Sequence, residues 1–167
     1  MNENSRPKTA LHISIKALDL SEDGAKFYTN NDEIVFLGYA ISSDSNAAPT
    51  LITSQYFVFD SLNRSVNFQT DSFAIPSGEK FCFAMIEIDD DKTKEQVEPV
   101  VRLNLKKIDA AYRQKDLVKL STYFGDNDVL GIIYVSGDKE RIKKENPAFI
   151  YGENLFDTYK YQLNFGY

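Results

Sequence analysis

Leu11, Ile13, Ile15 and Ala17 alternate with His12, Ser14 and Lys16 in the run ALHISIKALDL, Ala10 to Leu20. A strict period of two puts one set of side chains in a core and the other in water, the pattern of a half-buried strand. The same grammar recurs along the chain. Asn30-Asn31-Asp32 leads into the apolar run Glu33 to Ile41, which predicts a second, buried strand behind a long loop. Gln55 to Phe59 and Ser65 to Gln69 predict short strands around a turn. Ile75-Pro76-Ser77-Gly78-Glu79 is a turn ahead of Lys80 to Ile88, which should be a central strand. Val129 to Ser136 and Lys160 to Tyr167 resume strand character, the last with Tyr161, Leu163 and Phe165 on one side.

The period changes once. Val101, Leu105, Ile108 and Tyr112 fall at helical offsets, and Pro99 suits the first turn of a helix because its missing N–H has no intrahelical partner there. Asp116 to Phe124 carries Leu117, Leu120 and Phe124 at the same spacing and stops at Gly125. The expectation is a mainly β chain, an antiparallel sandwich of about eight strands with a helical insertion near residues 98–124 packed over one end. Ten Tyr, twelve Phe and only eight Gly agree with β structure. A length of 167 residues fits one domain, residues 10–167, behind a polar, disordered tail at residues 1–9.

A net charge of −6 opposes generic binding to a phosphate backbone, so no nucleic-acid partner is expected. The first residues lack a signal-peptide core and no run reaches about 20 apolar residues, which predicts a cytoplasmic protein. One Cys and one His exclude a zinc set and an intrachain disulfide. A Cys–His nucleophile pair would have to use Cys82 and His12, and Cys82 lies in an apolar run where a buried small hydrophobe fits. Paired carboxylates between Glu87 and Asp91 are the one conceivable acid–base source, but no nucleophile elbow, phosphate loop, dinucleotide fingerprint or zinc-protease motif accompanies them. The chain is expected not to be an enzyme.

Two aspartate-rich segments sit at the mouths of apolar runs, Ile86-Glu87-Ile88-Asp89-Asp90-Asp91 and Asn127-Asp128-Val129-Leu130-Gly131. Carboxylates converging at loop ends are what a hard, oxygen-seeking cation needs. The alternative is a solvated turn at Asp89 to Asp91 and a turn residue at Asp128.

The chain resembles the C2 domain, an eight-stranded sandwich whose calcium loops gather at one end. LHISIKALDL is similar to a C2 first strand, NNDEIVFLGYAI to the Asp-opened second, SVNFQTDSFAIPSGEKFCFAMIEIDDD to the strands entering the third loop, and NDVLGIIYV to the strand that follows. The resemblance implies metal ligands at Asp23, Asp32, Asp89, Asp91 and Asp128, with calcium as the cofactor and an anionic membrane as one partner. Thirty-six residues separate Asp91 from Asp128, where the family has a short loop, and no Trp is present. Lys106-Lys107 and Lys139 to Lys144 supply local positive charge, the second interleaved with Glu as in a solvated loop or helix. The rival partner is another protein. Phe27, Tyr28, Tyr123, Phe124, Tyr151, Phe156, Tyr159 and Tyr161 lie in or beside loops, either as interface anchors or packed beneath those loops.

Overall fold

The computed structural model describes residues 8–20, 31–44, 46–74, 80–89, 92–153 and 158–167. The strands are β1 (Lys8–Thr9), β2 (His12–Asp19), β3 (Asp32–Ile41), β4 (Thr50–Phe59), β5 (Ser65–Gln69), β6 (Phe73–Ala74) and β7 (Lys80–Glu87). Two helices follow, α1 (Lys94–Arg113) and α2 (Leu117–Phe124). The chain then continues through β8 (Asp128–Ser136), α3 (Lys139–Glu145), β9 (Ala148–Glu153) and β10 (Thr158–Gly166). Two four-stranded sheets, ordered β5-β2-β10-β9 and β4-β3-β7-β8, are antiparallel throughout. Lys8–Thr9, which the sequence placed in the tail, pairs with Phe73–Ala74.

Leu11, Ile13, Ile15 and Ala17 are buried between the sheets, opposite Ile34 and Phe36 of β3 and Phe81, Phe83 and Met85 of β7. Stacked rings carry this core across the sandwich: Phe36 to Phe83 at 5.5 Å and Phe83 to Phe165 of β10 at 4.8 Å between centroids. The other faces of β3 and β7 are apolar too. Val35, Leu37, Tyr39, Cys82, Ala84 and Ile86 form a second core with Val97, Val101, Leu105, Ile108 and Ala111 of α1 and with Leu120 and Phe124 of α2. That is why these two runs read as continuously hydrophobic where β2 alternates.

The helices therefore lie on the outer face of the β4-β3-β7-β8 sheet rather than over one end of the sandwich. The reason is that this face would otherwise leave six apolar side chains in water. The layers are sheet, sheet, helices. Helix α1 also starts earlier than the periodicity suggested: the Thr93 N–H donates to Gln96 Oε1 at 2.8 Å, a capping box that opens the helix at Lys94. Pro99 is thus the sixth residue, inside the helix rather than in its first turn. Gly125, at φ 66°, ends α2. No described helix is long and apolar enough to cross a membrane.

Candidate functional site at the aspartate end

Asp32 opens β3, Glu87 closes β7 and Asp128 opens β8, so antiparallel pairing brings all three to one end of the same sheet. Ile34 pairs with Glu87, and Glu87 with Asp128. Asp32 shares the face of Ile34, and paired residues share a face, so the three carboxylates point towards the interior of the sandwich. Asp32 and Glu87 are buried, while Asp128 reaches solvent. Partial desolvation at this end of the sheet pushes the Asp128 carboxyl above its usual value even though the residue reaches solvent.

Two tyrosines of β10 close this end from the opposite sheet. The Tyr161 hydroxyl donates to Asp32 Oδ2. The Tyr159 hydroxyl donates to the Leu130 carbonyl at 2.9 Å, and Tyr112 of α1 donates to the same oxygen at 3.3 Å. Leu130 sits where β8 slips register between Met85 and Ile86, and a bulge of this kind leaves its extra residue out of the ladder. Burial first, then the charges of Tyr112, Asp128 and Glu87, raise the Tyr159 hydroxyl far above its ordinary value and keep it a donor.

Asp89 lies at the same end. Its N–H donates to Asn127 Oδ1 at 2.8 Å, and Asn127 Nδ2 donates to the Phe124 carbonyl at 2.8 Å, which also accepts from Lys92 Nζ at 3.1 Å. The buried Asn127 thus clips the exit of β7 to the entry of β8 across the helical insertion. Of the five aspartates singled out in the sequence, Asp32, Asp89 and Asp128 are brought to one end, while Asp23 and Asp91 lie outside the described residues. Among the described residues, no group of three or more His, Cys, Asp or Glu side chains is close enough to hold a metal ion.

Sequence reasoning did not identify Tyr161 as the partner of Asp32, nor Glu87 as an inward carboxylate. The signal for Glu87 was present: it continues the Phe81, Phe83, Met85 parity that faces the other sheet. His12 and Cys82 are on different sheets. His12 points outward from β2, and Cys82 is fully buried beneath the helices, so they form no nucleophile–base pair. Burial pushes the Cys82 thiol up to about 12.

The outer face of β5-β2-β10-β9 has no helix over it among the described residues. Leu18 (40% exposed), Phe149 (39%) and Tyr151 (70%) stand on this face, with Lys160 Nζ 5.1 Å from the centroid of the Phe149 ring. A shallow cleft of about 610 Å³ on the same face is lined by His12, Ser14, Asn67, Gln69, Asn164 and Gly166, among others. Of the loop aromatics, Phe124, Tyr159 and Tyr161 are buried, Tyr123 is half-buried and Tyr151 is exposed; Phe27, Tyr28 and Phe156 lie outside the described residues. No protein-family model, curated protein or solved structure matches this chain.

Proposed function

We propose that this chain is a non-enzymatic, cytoplasmic binding module on a C2-like sandwich, and that it engages another protein through the open face of the β5-β2-β10-β9 sheet. One observation carries the reading. The two sheets are treated unequally: helices cover the outer apolar face of one, while the outer face of the other holds Leu18, Phe149 and Tyr151 in solvent beside polar groups. Large apolar anchors, aromatics above all, inside a polar rim are the anatomy of a protein interface. Phe149 and Tyr151 also occupy β9, a six-residue strand at the sheet edge.

The test is crosslinking from a photoreactive residue at position 160, purification of the crosslinked protein, and measurement of its affinity for the wild type and for a Phe149→Ser, Tyr151→Ser variant. The reading expects at least about a thirtyfold loss, since truncating a central interface anchor costs roughly 2 kcal/mol or more. An unchanged affinity would place the partner elsewhere.

A second reading is calcium-dependent contact with an anionic membrane or a partner through the aspartate end. It is supported by the register that gathers Asp32, Asp89 and Asp128 and by the eight strands in two sheets.

A further inference from the structure

The helical layer is basic in an acidic protein. Between Glu98 and Thr122 stand six cationic side chains, Arg102, Lys106, Lys107, Arg113, Lys115 and Lys119, against the carboxylates of Glu98, Asp109 and Asp116. The rest of the chain carries the acid that brings the whole to −6. Two of the cations are held locally, Arg102 on Glu98 at 3.1 Å and Arg113 on Asp109 at 3.0 Å. Asp116 caps α2 by accepting from the Lys119 N–H at 3.0 Å. The four lysines are exposed.

Three of the most exposed large apolar residues of the described chain lie among them: Leu103 at 74%, Leu117 at 70% and Val118 at 79%. Periodicity turns Leu103 and Lys107 of α1 and Val118 of α2 away from the core, while Leu117 is exposed because it is the first residue of α2. The buried stripe of α1 runs through Val101, Leu105 and Ile108, and Leu103, Lys107 and Ala110 follow the opposite stripe. In α2, Leu120 and Phe124 face the core, which turns Val118 outward.

We infer that this layer is a calcium-independent docking surface for an anionic membrane. Charge complementarity selects the sign of the partner: lysines clustered on a helical surface are drawn to anionic lipid, and isolated aliphatic tips between them can enter the interface. The residue types separate a membrane from an acidic protein. Protein interfaces are depleted in Lys, and their energetic anchors are Trp, Tyr and Arg rather than Leu and Val. Here four of the six cations are exposed lysines and the apolar tips are Leu and Val. The surrounding acidity helps to orient the molecule, because a basic layer in an acidic chain is the side drawn to a negative surface. Docked in this way, the protein turns its opposite outer layer, the open β5-β2-β10-β9 face, away from the lipid.

The test is co-sedimentation with phosphatidylcholine vesicles and with phosphatidylcholine–phosphatidylserine vesicles, both in chelator. Binding to the serine-containing vesicles alone is expected, weakening as salt is raised. Lys107→Glu with Lys119→Glu should reduce it by at least about 30-fold, and Leu117→Ser with Val118→Ser by about tenfold. All four side chains are exposed, so unchanged melting of the variants separates lost docking from lost folding. Absence of binding in chelator would overturn the inference, as would binding that survives charge reversal. Binding that needs calcium would overturn it in favour of the aspartate end. Binding to a polyglutamate peptide but not to vesicles would overturn it in favour of an acidic protein.

Discussion

The Tyr161 hydroxyl donates to the Asp32 carboxylate across the interior of the sandwich, tying β10 of one sheet to the first residue of β3 in the other. Both residues are fully buried. A carboxylate in such a place is tolerated only with hydrogen-bond donors. Tyr161→Phe keeps the ring and removes the donor, so it should destabilise the fold by about 1.5–3 kcal/mol, the range for hydrogen bonds to charged groups. Urea denaturation measures this as a lower midpoint at unchanged slope. An unmoved midpoint would mean that other groups suffice to hold Asp32.

Gly131 of β8 lies against Ile150 of β9, and a Cβ there would stand 2.5 Å from Ile150 Cγ2 and 2.9 Å from Cγ1. Those two strands are edges of different sheets, so the glycine sets how closely the sandwich closes on that side. Gly131→Ala should cost about 1–3 kcal/mol through overpacking. Adding Ile150→Ala should cost less than the sum of the two single changes, because it removes the clashing methyls. Strict additivity in the double-mutant cycle would show that the contact is not the cause.

The fold was legible wherever periodicity had one clear meaning. The alternation of Leu11 to Ala17 fixed the inner face of β2, and Tyr161, Leu163 and Phe165 fixed that of β10. The runs Glu33–Ile41 and Lys80–Ile88 were readable as buried strands, but not as strands with a different core on each side. Continuous apolarity says that both faces are covered without saying by what, so the helices could not be assigned to the outer face of the sheet. Ala148–Glu153 passed unrecognised as a strand because its alternation is short and ends in Gly and Glu. At the site, the sequence supplied the aspartates as residue types, and register decided their directions. That Asp32 would meet a tyrosine 129 residues away depends on sheet order, which no local pattern carries.

Cys82 is fully buried beneath α1 and its thiol is pushed up to about 12, chiefly by desolvation. Reaction with a disulfide reagent at pH 8 requires both exposure and thiolate. Modification of the native protein should be roughly a thousandfold or more slower than that of the chain in urea, tracking the small unfolded fraction. Fast labelling of the folded protein would show that the helical layer opens locally, which matters for a layer proposed to dock.

Asp128 gives a pH dependence whose sign follows from its raised pKa. The folded state binds this proton more tightly than the unfolded chain does, so the ionised carboxylate destabilises the fold at neutral pH. That penalty is relieved as pH falls through the raised folded-state pKa, and it is absent below the unfolded value of about 3.9. Asp128→Asn should therefore raise the melting temperature at pH 7, with the advantage over wild type shrinking as the pH is lowered. A difference that stays constant with pH would trace the effect to packing or hydrogen bonding rather than to charge.

Calcium offers the sharpest division between the two functional readings. A cation that binds the folded state at 100 times its Kd adds about 2.7 kcal/mol, several degrees of melting temperature or less for a domain of this size. The aspartate-end reading expects that rise in millimolar calcium over chelator, a smaller one in magnesium, and its loss in Asp91→Asn and in Asp89→Asn. A flat response to both ions would leave the described aspartates with the roles their contacts display: Asp32 tied to Tyr161, Asp89 clipped through Asn127, and Asp128 paired in the ladder with Glu87. The two proposed contacts, at the open sheet face and at the basic helical layer, neither of which involves calcium, would then be the ones left to test.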